Sequence, residues 1–190
     1  MRAAWRVMVS REVCARRLVF VDEMGSNTSL HELYAYSPRG ERAYCSVARN
    51  RGKNTTLLAS MSLSGMGPSM VVDGGADGAV FETYLREALL PALGEGDVMV
   101  MDNLRVHKSE RVRALIERAG VEVLYLPPYS PDFNPIEEAF SKIKNLLRKA
   151  GARVREALVE AIGTALSEVS EEDALAFFEH CGYREAVQSL

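Results

Sequence analysis

The chain has 190 residues, enough for one domain with a buried core, and its 47% hydrophobic and 26% charged residues are typical of a globular protein. No segment approaches the roughly 18 apolar residues that a membrane helix needs, and arginines interrupt residues 1–17, which excludes a secretory signal. The three cysteines lie far apart and the histidines add no metal-ligand spacing. A zinc site is therefore not expected. We expect the cysteines to be free thiols in the cytoplasm.

The net charge of −3 conceals a strong segregation of charge along the chain. Residues 1–54 carry +5, residues 55–103 carry −6, residues 104–152 carry +3 and residues 153–190 carry −5. Basic blocks of this kind can form a phosphate-facing surface even when the total charge is negative. A solvated charged face is the simpler explanation, so segregation alone does not establish a nucleic-acid partner.

The first third of the chain has the pattern of strands and turns. Residues 18–21 (LVFV) predict a buried strand that ends at Asp22. Residues 23–54 are polar and basic, and we expect an inserted loop region with at most one short hairpin there. Residues 55–63 alternate in polarity, as in a half-buried strand. A turn is then predicted at 65–68 (GMGP) and the returning strand of a hairpin at 69–73.

Helices and strands alternate in the rest of the chain. The predicted helices cover roughly 78–93, 109–119, 135–149, 154–168 and 171–180. The predicted strands cover 97–101 and 121–126, and a proline-rich loop covers 127–135. Ser109 is a suitable N-cap and Gly120 a suitable terminator for the second helix. This order predicts a single α/β domain with a mixed five-stranded sheet flanked by helices.

Two of the apolar strands lead directly into a carboxylate. Asp22 follows LVFV, and Asp102 follows VMVM. If the two strands are parallel neighbours, both side chains project into one cleft at the carboxyl ends of the strands. Two such carboxylates repel each other and need a cation between them, and Mg²⁺ is the hard cation that oxygen ligands favour. An aspartate in this position is also common as a mere turn or cap residue.

The helix after the proline-rich loop has two distinct faces. Its apolar stripe consists of Ile136, Phe140, Ile143 and Leu147. The face one residue further on consists of Glu137, Ser141, Lys144 and Arg148. This second face places a carboxylate at the start of the helix and cations further along, where a phosphate backbone could lie.

Glu137 also has a purely structural interpretation. With Asn134 as N-cap and Pro135 in the first helical position, Glu137 is the third residue of a capping box. Glu138 competes with it for any catalytic role but lies further from the Ser141 and Lys144 face.

The spacing of these residues carries a family resemblance. Asp102 is followed by Asn103, and 34 residues separate Asp102 from Glu137, which ends the string PYSPDFNPIE at 128–137. This pattern resembles the DDE transposases of the mariner superfamily, in particular their bacterial insertion-sequence branch. Further likeness lies in residues 37–40 (SPRG) and 71–74 (VVDG), and the resemblance covers roughly residues 18–150.

The resemblance implies an RNase H-like fold and a metal-dependent DNA endonuclease and strand transferase. Asp22, Asp102 and Glu137 would be the catalytic residues and the ligands of two Mg²⁺ ions, with Mn²⁺ as a substitute. Water would release a 3′-hydroxyl at the end of the element, and this hydroxyl would attack target DNA at a TA dinucleotide. The partners implied are DNA at element ends and target, and a second copy of the chain, in the bacterial cytoplasm at the nucleoid.

Seven further residues are candidates for contacts with DNA: Asn103, His107, Lys108, Tyr129, Ser141, Lys144 and Arg148. His107 has a plain loop histidine as its alternative, and loop packing explains Tyr129 equally well. Asp132 and Asp73 are expected to be ordinary turn residues.

We expect residues 1–190 to form one catalytic domain. Residues 1–17 would be a linker remnant, 18–150 the core with the insert 23–54, and 151–190 C-terminal helices. Only 21 residues precede Asp22, too few for the N-terminal helix-turn-helix region of full-length relatives. A catalytic half, a truncated element and the product of a second reading frame joined by frameshifting all remain open, and a separate chain could supply DNA reading.

Three alternatives differ in function. A hydrolytic RNase H-like nuclease would cut DNA without joining strands. An aspartate-based phosphatase would need a second aspartate two residues after Asp22, where this chain has Met24. A truncated or co-opted transposase fragment would bind DNA or a partner chain without catalysing transposition.

Overall fold

Five strands form one mixed sheet in the order β3-β2-β1-β4-β5. The computed structural model describes Trp5 and residues 13–47, 52–104 and 106–184. The strands are β1 (Leu18–Ser26), β2 (Thr55–Ser62), β3 (Gly65–Asp73), β4 (Val98–Met101) and β5 (Glu122–Tyr125). β1, β2 and β3 pair antiparallel, whereas β4 pairs parallel with both β1 and β5. The predicted mixed sheet is thus confirmed.

Helices cover both faces of this sheet. They are α1 (Gly78–Tyr84), α2 (Glu110–Ala119), α3 (Pro135–Ala150), α4 (Arg155–Ser167) and α5 (Glu171–His180). α1 continues through a π-helical turn, Leu85–Leu89, into a 3₁₀ turn, Leu90–Ala92. Buried residues of α1 and α2 pack against one face of β1 and β4, and those of α3, α4 and α5 pack against the other. No helix in the described ranges is long and apolar enough to cross a membrane.

Asp22 lies inside its strand, which corrects the prediction that the strand ends there. β1 runs on to Ser26 because β2 pairs with it along its whole second half, with Ser26 opposite Thr55. The parallel pairing with β4 covers only residues 18–21, so Asp22 is the first residue beyond it. The inserted segment therefore begins after residue 26. Residues 27–47 contain turns but no hairpin, and residues 48–51 lie outside the described residues.

The predicted turn at residues 65–68 is also wrong, because these residues form the first half of β3. The chain reverses over residues 63–64 instead. Pro68 is tolerated because β3 is an edge strand of the sheet. A glycine is required at 67, where a Cβ atom would lie 2.6 Å from the buried Oγ of Ser60. Ser60 in turn donates a hydrogen bond to the carbonyl oxygen of Pro68.

Gly67→Ala is therefore expected to lower the free energy of unfolding by about 1–3 kcal/mol, the usual cost of overpacking. Gly75→Ala is the matched control, because a Cβ atom there meets nothing within 4 Å. Urea denaturation of both variants, and of Gly67→Ala combined with Ser60→Ala, measures the effect. Equal stability of the two single variants would contradict the close approach, and the double variant should recover part of the loss.

Candidate active site at the ends of the parallel strands

A cleft of about 630 Å³ opens beyond the ends of the parallel strands. Asp22, Asp102 and Glu137 all line it. Asn103, Lys108 and Asn134 also line it, and so do residues 126–131 of the proline-rich loop. The structure thus brings the three predicted carboxylates to one place.

Strand register and side-chain alternation explain this convergence. Val21 is opposite Met101 in the parallel pair, so Asp22 and Asp102 leave the two neighbouring strands at the same level. Asp22 points to the same side of β1 as Phe20 and Met24, whose side chains belong to the core beneath α3. Glu137 lies in the first turn of α3, which packs on that side through its apolar stripe.

Asp22 is almost buried, with 7% of its surface exposed. Its Oδ1 accepts a hydrogen bond from the backbone N–H of Glu23 at 2.8 Å, and its Oδ2 accepts one from Nδ2 of Asn134 at 2.8 Å. Burial, together with repulsion from Glu137, Asp102 and Glu23, raises the pKa of Asp22 to about 7, against the lowering effect of the Glu23 N–H. Near neutral pH the cleft therefore favours either a proton or a cation at this carboxylate.

Asn134 was not among the predicted site residues, although it stands in the motif that carried the resemblance. It is 4% exposed and its side chain binds Asp22, so it does not cap the helix. Its backbone N–H donates to the carbonyl oxygen of Pro131, which leaves no place for the capping box with Glu137. The Oδ1 atom of Asn134 has no hydrogen-bond partner among the described residues. The structural explanation of Glu137 as a capping residue therefore loses its support.

Asp102 is held from the opposite side by a histidine. Nδ1 of His107 lies 2.7 Å from Oδ1 of Asp102, a close ion-pair contact whose N–H direction does not meet hydrogen-bond geometry. The same oxygen accepts a hydrogen bond from the N–H of Leu104. Burial raises the pKa of Asp102, but the contact with His107 and the Leu104 hydrogen bond outweigh it and the net pKa is lowered. His107 is 1% exposed, so its position does not support the predicted contact with DNA.

Nε2 of His107 faces a second carboxylate, that of Glu23, at 3.4 Å. Burial lowers the pKa of His107, yet its hydrogen bonds to Asp102 and Glu23 raise the net value to about 9. Sequence reasoning missed Glu23, because nothing in its neighbourhood along the chain indicates a partner at residue 107.

The other predicted contacts with DNA fall into two groups. Asn103, Lys108 and Tyr129 line the cleft, where Nζ of Lys108 donates to Oδ1 of Asn103 and Nδ2 of Asn103 donates to the carbonyl oxygen of Leu126. The remaining predicted contacts are Ser141, Lys144 and Arg148, which follow Glu137 along α3 at exposed or half-buried positions. The first group surrounds the carboxylates, whereas the second leads away from them.

The competing acidic residues lie elsewhere. Glu138 pairs with Nδ1 of His180 in a groove between α3 and α5. Asp73 pairs with Nε of Arg155, as suits a strand-end residue. Asp132 is exposed in the 3₁₀ turn Pro131–Phe133.

The cleft supplies the oxygen ligands that a divalent cation prefers. In the described part of the chain, however, no three His, Cys, Asp or Glu side chains are close enough together to hold one ion. Protein donors satisfy Asp22 and Asp102 separately, through Asn134 and His107.

Asp22→Asn should stabilise the metal-free protein in a pH-dependent manner. The folded-state pKa of about 7 exceeds the ordinary value of 3.8, so ionised Asp22 opposes folding increasingly as the pH rises between these values. The variant should match the wild type near pH 4 and exceed it at pH 8 by up to about 4 kcal/mol, since one pKa unit corresponds to ~1.4 kcal/mol. Urea denaturation in EDTA between pH 4 and 9 measures this difference.

Asp132→Asn is the control for this measurement, because Asp132 is exposed on the neighbouring loop. Its stability profile should parallel that of the wild type. A parallel profile for Asp22→Asn as well would show that Asp22 is not destabilised by its surroundings.

Comparison with known sequences supports a family assignment. The family model described as DDE superfamily endonuclease matches residues 17–159. The Tc1 transposase of Caenorhabditis elegans is 30% identical over 116 residues, which are 59% of this chain and 41% of that protein. The Tcb1 transposase of Caenorhabditis briggsae is 29% identical over 117 residues, 60% of this chain and 42% of that protein. The chain thus spans about two fifths of the length of these relatives.

Solved structures establish the fold. The paired-end complex of the Mos1 transposase with its left transposon end matches with a TM-score of 0.78 and 22% identity, over 94% of this chain and 56% of that one. The catalytic domain of the Mos1 mariner transposase matches with a TM-score of 0.70 and 18% identity, over 94% of this chain and 83% of that one. The sheet and its flanking helices are accordingly RNase H-like. With the family model matching residues 17–159, the chain belongs to the DDE superfamily endonucleases.

Proposed function

We propose that this chain is the catalytic domain of a DNA transposase of the bacterial insertion-sequence branch of the mariner superfamily. It cleaves DNA at element ends and transfers the resulting 3′-hydroxyl into target DNA, with TA as the target. The observation that carries the proposal is the presence of Asp22, Asp102 and Glu137 in one cleft at the ends of adjacent parallel strands. The family match and the similarity to transposases of Caenorhabditis support it.

Asp22, Asp102 and Glu137 would hold two Mg²⁺ ions, with Mn²⁺ as a substitute. Two facts about the Asp22 side of the cleft support the fit of a cation: Asp22 is desolvated near three other acids, and the buried Oδ1 of Asn134 lacks a hydrogen-bond partner among the described residues. Solved complexes of the Mos1 protein with Mg and with Mn support the choice of ion. When bound, such a pair of ions activates the attacking oxygen and stabilises the leaving oxygen in an in-line displacement.

The protein groups around the carboxylates prepare the cleft for a polyanion. Nζ of Lys108 lies 4.9 Å from the centroid of the Tyr125 ring and donates to Oδ1 of Asn103, the residue that follows Asp102. These two contacts hold the positive charge of Lys108 beside Asp102. Tyr129 is 98% exposed at the rim, where its ring can stack on a base.

The remaining parts of the proposal concern the partners. Three tyrosines of the inserted segment, Tyr34, Tyr36 and Tyr44, are 88% or more exposed, which supports a contact of this segment with DNA or a second copy of the chain. We propose a homodimer that holds two element ends. Recognition of the end sequences would belong to an N-terminal reading region or a separate chain.

Asp102→Asn and Glu137→Gln should each slow strand cleavage and strand transfer by at least about 100-fold, because metal-held charge stabilisation supplies several kcal/mol. Glu138→Gln is the matched control, since it is adjacent on α3 but pairs with His180 outside the cleft. The activity of Glu138→Gln should stay within about twofold of the wild type. The corresponding change in activation free energy is well below the ~1.4 kcal/mol of a tenfold rate change. The assay combines pre-cleaved element ends, target plasmid and Mg²⁺ or Mn²⁺.

The products of this assay separate the alternatives. Nicked plasmid without joined products would indicate a hydrolytic nuclease. DNA binding without any cleavage, in both metals, would indicate a co-opted fragment. Either result would overturn the proposed transfer reaction.

Binding of residues 1–190 to duplex DNA should be weak, steeply salt-dependent and almost independent of DNA sequence, because contacts with phosphates carry no sequence information. Lys144→Ala combined with Arg148→Ala should weaken binding equally on unrelated duplexes and lower the salt slope by about two. The control is Arg111→Ala with Arg113→Ala, two exposed arginines on α2, on the opposite side of the sheet. Fluorescence anisotropy over a salt series measures the DNA affinity of both double variants. An equal loss of affinity in the two would contradict binding of the phosphate backbone along α3.

A further inference from the structure

His107 connects the two aspartates of the cleft through a short chain of contacts. Its Nδ1 lies 2.7 Å from Oδ1 of Asp102, and its Nε2 lies 3.4 Å from Oε2 of Glu23. The backbone N–H of Glu23 donates to Oδ1 of Asp22 at 2.8 Å. Glu23 and His107 thus form a brace that runs from one catalytic aspartate to the other across two strands.

The brace approaches the cleft from the opposite layer of the protein. Side chains alternate along β1, so Glu23 points away from Asp22, to the side covered by α1. The ring of His107 lies on that same side, with its centroid 4.4 Å from that of Phe81 in α1. The hydroxyl of Tyr125 donates to the carbonyl oxygen of His107 at 3.2 Å, which ties the histidine backbone to β5.

This packing leaves the histidine ring little freedom. His107 is 1% exposed, while the carboxylates of Asp102 and Glu23 are 33% and 30% exposed. Because the His107 ring is fixed and lies between the carboxylates of Asp102 and Glu23, it orients these two more exposed groups. His107 and the Leu104 N–H both contact Oδ1 of Asp102, a residue that lines the cleft.

We propose that His107 is a positioning residue that, together with Glu23, fixes the carboxylates of Asp102 and Asp22 for metal binding. This inference rests on the proposed function. At 1% exposure, His107 would act through Asp102 and not through DNA. It contacts Asp102 through Nδ1, and its Nε2 holds the side chain of Glu23, whose backbone N–H donates to Asp22. Partners that orient a ligand in this way typically change metal affinity by about 10–100-fold when they are removed.

His107→Phe tests the brace, because phenylalanine keeps a ring against Phe81 and lacks both nitrogens. Calorimetric titration with Mn²⁺ alone should give a Kd about 10-fold or more above that of the wild type, within the range seen for orienting partners. His107→Asn keeps one amide donor within reach of Asp102 and should recover most of the affinity. Glu23→Gln keeps the size and the backbone N–H and should show a smaller loss in the same direction.

The matched control is His180→Phe, which removes both ring nitrogens and so breaks a second histidine–carboxylate pair, with Glu138, outside the cleft. It should bind Mn²⁺ as the wild type does, whereas Asp102→Asn should lose binding. Wild-type affinity in His107→Phe, with binding lost in Asp102→Asn, would overturn the brace and leave the proposed function standing. Wild-type affinity in Asp102→Asn would overturn the proposed metal site itself, and the brace with it.

If His107→Phe does not fold, as melting curves without metal will show, Glu23→Gln and His107→Asn decide the question. Wild-type Mn²⁺ affinity in Glu23→Gln, or an affinity in His107→Asn that falls by as much as in Asp102→Asn, would then overturn the brace. A loss in Glu23→Gln would support it, because this residue has no other described contact with Asp102.

Discussion

The burial of Asp22 beside three other carboxylates, which repel it, is the constraint on which the site depends. Two parallel strands in register deliver Asp22 and Asp102 to the same level, and the first turn of α3 adds Glu137. Asp22 is 7% exposed and is surrounded by Glu23, Asp102 and Glu137, so its ionised form opposes folding. The rest of the sheet and the helices stabilise an arrangement that these carboxylates alone would disrupt.

The structure relieves this repulsion with one donor group for each aspartate. Asn134 reaches Asp22 from the loop before α3, and His107 reaches Asp102 from the layer that contains α1. The two contacts differ in charge: the amide of Asn134 is neutral, and burial keeps the pKa of Asp22 high, whereas His107 lowers the pKa of Asp102. The two aspartates therefore differ in charge state near neutral pH, although the strand positions that deliver them are equivalent.

Helix α3 joins the core to the cleft. Its buried residues, among them Ile136 and Phe140, pack against the sheet and fix the position of its first turn. Phe133, just before it, is anchored because its carbonyl oxygen accepts a 2.6 Å hydrogen bond from the hydroxyl of Tyr183. The C-terminal part of the chain thereby holds the loop that carries Asn134. The same part packs through α4 and α5 into one core with the sheet.

The sequence by itself determined the elements whose signals are local. The apolar runs before Asp22 and Asp102, the amphipathic period of α3 and the cap residues Ser109 and Gly120 each depend on residues a few positions apart, and they predicted the five strands and five helices. The grouping of the three carboxylates came instead from the resemblance to a known family, carried by the string at 128–137 and its distance from Asp102. The length of β1 and the strand at 65–68 could not be predicted, because pairing with a distant strand overrode an apparent strand end and an apparent turn. The partners of Asp22 and Asp102 also needed the tertiary structure: Asn134 is 112 residues from Asp22, and only the packing of the layers brings Glu23 to His107.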